Sequence, residues 1–143
     1  MSDTSLKTRP AYRNINVTDL MGYRLPPAGW VSILHRISGA LMFLLLPFVI
    51  WLFDVSVTSE VSYDRFATAF GAGLGGIPGW FFKLLALALI WAYLLHFIAG
   101  VRHLWMDMTH SVSKVQGYGS AMFTLVASSV LALLLGAKLF GLY

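Results

Sequence analysis

Three long stretches of the chain are almost entirely hydrophobic, and polar segments separate them. The stretches cover about residues 30–53, 79–105 and 121–142. A helix of about 20 residues crosses the roughly 30 Å hydrocarbon core of a bilayer, and each stretch reaches that length. Because lipid offers the backbone no hydrogen-bond partners, each stretch is expected to be helical. The pattern therefore predicts an all-α fold: an integral membrane bundle of three transmembrane helices over residues 30–143, preceded by a polar segment, 1–29.

Prolines mark where two of these helices begin or bend. Pro78 directly precedes the second hydrophobic stretch, at a position where a missing amide hydrogen costs little. Pro47 lies inside the first stretch, where its ring and its missing N–H disturb the helix. The first span is therefore predicted to be bent near Pro47.

Composition agrees with a membrane protein and excludes several other classes. Of the 143 residues, 58% are hydrophobic and 11% are charged, whereas a typical soluble domain carries about a quarter charged residues. The chain has no cysteine, so any metal must be held by histidine or oxygen ligands. Nucleic acid is not an expected partner, because its recognition needs a basic patch on a polar surface, and this sequence shows no such patch.

The distribution of charge predicts the orientation of the chain in the bilayer. Basic residues precede the first span and follow the second, namely Lys7, Arg9, Arg13, Arg24, Arg102 and Lys114. The connection between these two spans is acidic, with Asp54, Glu60 and Asp64 against Arg65. The positive-inside rule then places segment 1–29 in the cytoplasm. That segment resembles neither a signal peptide nor an acid-poor transit peptide, which favours a bacterial inner (plasma) membrane.

Ionisable residues within the spans gather at the end predicted to face the cytoplasm. They are His35 and Arg36 in the first span and His96, Arg102, His103 and Asp107 in the second. A charged side chain at the bilayer centre costs about 2.5 to 3.5 kcal/mol on insertion scales. Such residues usually face a partner, a cavity or a ligand, so a shared functional site is expected here.

One face of the second span carries His96, Gly100 and His103, which are spaced by four and three residues. Gly100 leaves room for a flat ligand between the imidazoles, or for a neighbouring helix to pack closely. A porphyrin is one candidate ligand, because its iron accepts imidazole nitrogen. His96 and His103 lie about 10.5 Å apart along the helix and cannot bind the same iron. A second ligand would come from His35 or from a histidine of a partner subunit.

The first span carries a matching polar face formed by Ser32, His35, Arg36 and Gly39. The guanidinium of Arg36 is always charged and offers a fork of donors suited to a haem propionate or a quinone carbonyl. Ser32 adds a hydroxyl donor on the same face. The alternative is that His35 and Arg36 only anchor the helix among lipid phosphates.

The stretches SILHRISG (32–39) and HFIAGVRHLWMD (96–107) together resemble motifs of the cytochrome b membrane-anchor subunit of succinate dehydrogenase, respiratory complex II. The resemblance implies a hydrophobic subunit that packs with a second three-helix anchor subunit and tethers the iron–sulfur subunit and the flavoprotein subunit to the membrane. It also implies haem b between the two anchors and ubiquinone as a substrate. The chain itself would contribute no dicarboxylate chemistry to the enzyme.

The same resemblance implies roles for individual residues. His96 would be the axial haem ligand, opposite a histidine of the other anchor. His35, Arg36, Gly100 and His103 would surround the haem or the quinone, and Ser32 with Arg36 would contact ubiquinone. Two other functions stay open at this point: a haem b anchor of a fumarate reductase or another quinone oxidoreductase, and a membrane scaffold without redox chemistry.

Overall fold

The computed structural model describes residues 16, 18–19, 22–110 and 113–143. Most of the predicted cytoplasmic segment, with Lys7, Arg9 and Arg13, lies outside these residues. The described elements are five helices and two short strands: α1 (Pro27–Leu44), α2 (Leu46–Val57), α3 (Glu60–Phe70), β1 (Gly73–Leu74), β2 (Ile77–Pro78), α4 (Gly79–Thr109) and α5 (Lys114–Leu139). The mostly helical membrane fold that the hydrophobic pattern predicts is confirmed.

The first hydrophobic stretch forms two helices that meet at a bend. α1 and α2 are separated by Leu45 and inclined to each other by 50°. Pro47 is the second residue of α2, where its missing N–H breaks the run of helical hydrogen bonds. The bend predicted at Pro47 is thus present.

Two helices, α4 and α5, are each long and apolar enough to cross a membrane. α4 has 31 residues and is about 46 Å long, so it extends past the roughly 30 Å hydrocarbon core. Both helices also extend beyond the stretches 79–105 and 121–142 at one or more ends. A third crossing exists if the bent pair α1 and α2 acts as one span, so the three-span count and the span limits stay predictions.

The acidic connection contains structure that the hydrophobic pattern did not predict. It folds into α3 and a two-residue antiparallel hairpin, in which Gly73 pairs with Pro78 and Leu74 with Ile77. The described part of the chain is therefore mostly helical, with this one small hairpin beside the helices. α3 begins with a reciprocal cap: the Ser59 hydroxyl accepts from the Ser62 amide at 3.1 Å, and the Ser62 hydroxyl accepts from the Ser59 amide at 2.9 Å.

Aromatic side chains hold this connection against the membrane helices. The nearly buried ring of Phe82 in α4 lies 6.1 Å from Trp51 of α2 and 6.5 Å from Phe70 of α3, measured between centroids. These separations are typical of interacting aromatic pairs. One ring near the start of α4 thus contacts the middle of α2 and the end of α3.

Small residues let the helices pack closely. Val31 of α1, Ala99 of α4 and Ala121 of α5 form a fully buried cluster where the three helices meet. Further along α5, a Cβ at Gly136 would lie 2.8 Å from Leu87 Cδ1, so this glycine permits close contact between α4 and α5. Large apolar side chains instead point outward from the bundle, including Phe43, Leu133 and Phe123, as expected for a surface that meets lipid or another apolar subunit.

Candidate functional site

Three histidines from α1 and α4 come together between these helices. The rings of His35 and His96 are stacked, with centroids 4.1 Å apart and planes inclined by 17°. The ring of His103 lies 5.3 Å from His35, measured between centroids, and is tilted by 50°. The structure therefore brings together the two helix faces that the sequence indicated separately.

Hydrogen bonds to the backbone of α1 determine the tautomer of His96. Its Nδ1 lies 3.0 Å from the carbonyl oxygen of His35 and 3.3 Å from the hydroxyl of Ser38. The Ser38 hydroxyl itself donates to the same carbonyl at 2.9 Å. A carbonyl oxygen can only accept, so in the neutral imidazole the proton sits on Nδ1 and Nε2 keeps its lone pair. This is the arrangement in which a histidine is ready to bind a metal through Nε2.

A glycine of α1 makes room for this ring. A Cβ at Gly39 would lie 3.0 Å from His96 Cε1 and 3.3 Å from Nδ1, which is too close for an undisturbed fit. At Gly100 a Cβ would lie 3.8 Å from His35 Nε2, an ordinary contact distance. Gly100 thus faces a side chain of the neighbouring helix α1 at ordinary contact distance. The position where an added side chain would clash is Gly39.

The donor set suits a porphyrin iron that takes one ligand from this chain. His96 offers an imidazole with a free Nε2, which is a usual axial ligand. Among residues 16, 18–19, 22–110 and 113–143, no three His, Asp or Glu side chains converge to enclose a metal ion. A haem needs only one such donor on each side, so the residues fit this group.

His35 is poorly placed to be the opposite ligand. Two axial imidazoles point at each other through the iron, with their nitrogens about 4 Å apart and their rings directed away from each other. The rings of His35 and His96 instead lie face to face at 4.1 Å. Of the two sources considered for the second ligand, the geometry favours a histidine of a partner subunit.

The predicted quinone contacts, Ser32 and Arg36, lie one helical turn apart on α1. Ser32 is half-buried and Arg36 is exposed. Within the described part of the chain, neither side chain has a hydrogen-bond or ion-pair partner. Arg36 therefore has all its donors available, either for a ligand or for lipid phosphate.

Arg102 does not join the histidines, although its position in the sequence predicted that it shares their site. Its side chain is 8% exposed and joins α4 to α5: Nε donates to the Ser120 hydroxyl at 3.0 Å, and Nη2 donates to the Gly117 carbonyl at 3.3 Å. It is therefore an interhelical contact rather than a member of the histidine group.

His110 is exposed and ends α4 in a left-handed conformation, with φ of 53°.

Ser38 is the residue of this site that the sequence pattern did not single out. It is fully buried between the two histidine-bearing helices. At about 100° per residue it lies about 60° from His35 around the helix, beside the polar face rather than on it. The signal available in the sequence was its position next to Gly39 in the HRISG stretch.

Comparison with known proteins agrees with these motifs. The profile of the family described as succinate dehydrogenase/fumarate reductase transmembrane subunit matches residues 7–135. The chain is similar to the succinate dehydrogenase cytochrome b556 subunit of Coxiella burnetii, with 33% identity over 88% of this chain and 95% of the relative. It is also similar to the subunit of that name from Paracoccus denitrificans, with 28% identity over 94% of each chain. The chain therefore belongs to the family of succinate dehydrogenase and fumarate reductase transmembrane subunits.

Proposed function

We propose that this chain is the cytochrome b membrane anchor of a succinate:quinone oxidoreductase and that it binds haem b together with a second anchor subunit. Two similar proteins carry the name succinate dehydrogenase cytochrome b556 subunit. The observation that carries the haem assignment is the contact between His96 Nδ1 and the His35 carbonyl oxygen at 3.0 Å. In the neutral imidazole this contact leaves the Nε2 lone pair free, as an axial ligand requires.

In this proposal His96 would hold the haem iron from this chain, and a histidine of the partner anchor would complete the site. When bound, haem b supplies a one-electron redox centre whose potential depends on its axial ligands and their hydrogen bonds. The residues of this chain hold and orient the ligand. His35 packs on the face of the His96 ring, and its carbonyl oxygen holds Nδ1.

Arg36 and Ser32 are the proposed donors to ubiquinone. As the quinone is reduced, negative charge develops on its oxygen atoms, and a donor already in place stabilises that charge. Arg36 is exposed and unpaired within the described residues, so it can approach a bound quinone without first breaking an ion pair. Its permanent charge makes it a stronger donor than the Ser32 hydroxyl.

The reaction as a whole would be divided among subunits. The flavoprotein subunit oxidises succinate, and the iron–sulfur subunit passes electrons to the quinone site beside α1. The bundle described here provides attachment to the bacterial inner membrane, with its N-terminus in the cytoplasm. Its outward apolar residues, such as Phe43 and Leu133, can meet either lipid or the second anchor.

Purification of the complex from native membranes through a tag on this chain tests the proposal. We expect a flavoprotein, an iron–sulfur protein and a second small membrane protein to co-purify, and the complex to reduce ubiquinone with succinate. A complex that works only as a fumarate reductase with a different quinone would identify the chain as a fumarate reductase anchor instead. Recovery of the chain without haem and without soluble subunits would favour a scaffold and contradict the proposal.

A further inference from the structure

We infer that Ser38 and Gly39 of α1 are positioning residues for the His96 imidazole, and that together they set which edge of the ring faces the haem iron. The inference rests on the proposed function, because it concerns the geometry of the same axial ligand. Both residues contact the ring without being ligands themselves. They act from the helix opposite the one that carries His96.

The role of Ser38 follows from its two hydrogen-bonding contacts. Its hydroxyl proton is directed to the His35 carbonyl at 2.9 Å, so its oxygen is free to accept from His96 Nδ1 at 3.3 Å. The Nδ1 proton is then shared between the Ser38 oxygen and the His35 carbonyl oxygen, which lies 3.0 Å away. Two acceptors at one nitrogen disfavour the tautomer that carries its proton on Nε2. Ser38 thus adds to the preference for a ring with a free Nε2.

The role of Gly39 follows from the distances to the ring atoms. From the position of a Cβ at Gly39, the separations are 3.0 Å to Cε1, 3.3 Å to Nδ1 and 4.0 Å to Nε2 of His96. The edge of the ring formed by Nδ1 and Cε1 therefore lies against the backbone of α1. A methyl group at this position would push that edge away and break the contact of Nδ1 with the carbonyl.

The stacked ring of His35 limits how far the His96 ring can move. One face of His96 is covered by His35 at a centroid separation of 4.1 Å, so the ring cannot swing freely in that direction. Interiors packed in this way transmit a displacement instead of absorbing it. A methyl group at Gly39 is therefore expected to turn the His96 ring, and with it the direction of the Nε2 lone pair.

Two pairs of matched variants in the complete complex test this inference. Gly39→Ala is compared with Gly119→Ala, since the second adds the same methyl group to a helical glycine of α5 where a Cβ meets nothing within 4 Å. Alanine has a higher helix propensity than glycine, so a loss in either variant is not a loss of helix formation. Ser38→Ala is compared with Ser128→Ala. Ser128 is fully buried, and within the described residues its hydroxyl bonds only to its own helix, at the Thr124 and Leu125 carbonyls.

The measurements are haem b per flavin in the purified complex and the low-spin electron paramagnetic resonance signal of the oxidised haem. We expect Gly39→Ala to lose haem by about tenfold or more, the lower end of the range for lost support of a metal ligand. Ser38→Ala should retain haem less tightly, also by about tenfold, with a shifted or broadened resonance signal. Gly119→Ala and Ser128→Ala should keep the haem content within about twofold of the parent complex and leave the signal unchanged.

The inference is overturned if Gly39→Ala and Ser38→Ala keep the parent haem content and resonance signal, or if their controls change equally. If the Gly39→Ala complex does not assemble, the two serine variants decide the question. A parent complex that assembles but contains no haem contradicts the proposed function itself. Haem that is present in the parent and indifferent to these substitutions contradicts only the positioning roles.

Discussion

Replacing Arg102 with methionine should loosen the contact between α4 and α5. The guanidinium is 8% exposed and donates across the helix pair to the Ser120 hydroxyl at 3.0 Å and to the Gly117 carbonyl at 3.3 Å. Methionine keeps much of the apolar stem but removes both donors. Ser120 retains a long contact to the Gly117 carbonyl, at 3.4 Å, so part of the local network survives the substitution.

The size of the effect can be bounded from these two contacts. A hydrogen bond from a charged donor contributes about 1.5 to 3 kcal/mol in water-soluble proteins, whereas side-chain bonds between membrane helices average about 0.6 kcal/mol. The bond to Ser120 is well formed and the one to Gly117 is long, so we expect a loss of about 2 kcal/mol. For a domain of this size that corresponds to a fall in melting temperature on the order of 5 °C.

Thermal denaturation of the detergent-solubilised complex, followed through the haem absorbance, measures this effect. Arg65→Met is the matched control, because Arg65 is an exposed arginine of α3 and its replacement should leave the melting temperature within about 1 °C. A double-mutant cycle with Ser120→Ala isolates the direct pair and should show a coupling of about 1 kcal/mol. Equal melting temperatures for Arg102→Met and Arg65→Met, or no coupling, would refute the interhelical role.

Two further predictions concern helix packing and the quinone. Gly136→Ala should destabilise the complex by about 1 kcal/mol, the lower end of the range for overpacking, because the nearest atom is the end of the Leu87 side chain, which can move aside. Gly119→Ala, which meets nothing within 4 Å, should be neutral or slightly stabilising, and the same melting assay distinguishes the two variants. Arg36→Leu should lower the rate of succinate-dependent ubiquinone reduction by about 100-fold while the haem spectrum stays intact, and an unchanged rate would leave Arg36 as a lipid anchor.

The lengths of the hydrophobic stretches and the positions of the prolines were enough to predict most of the fold. They indicated the two long helices α4 and α5, and the bend beside Pro47 is present at 50°. They did not indicate α3, because its sequence EVSYDRFATAF is too polar to register as a span. Its start signal was the Ser59 cap, a local hydrogen-bond pattern that hydropathy does not report.

Helical periodicity identified which residues share a face, but it contains no information on which faces meet. It grouped His35 with Arg36 and His96 with His103, and the structure adds that His35 stacks on His96. Arg102 belonged by position to the charged end of α4, yet its side chain turns to α5. Ser38 and Gly39 gain their importance from the approach of a ring on another helix, a contact between residues 58 and 57 positions apart in the chain.

The most direct test of whether His96 is a ligand of haem b is a difference spectrum between the dithionite-reduced and the oxidised complex. It is recorded for the parent and for His96→Gly. We expect a haem b band in the parent, its loss in His96→Gly, and its partial return when free imidazole is added to occupy the vacated ligand position. His110→Gly, a change at an exposed histidine outside the site, should leave the band intact. A full haem band in an assembled His96→Gly complex without added imidazole would show that the iron takes its ligand elsewhere and would contradict the account.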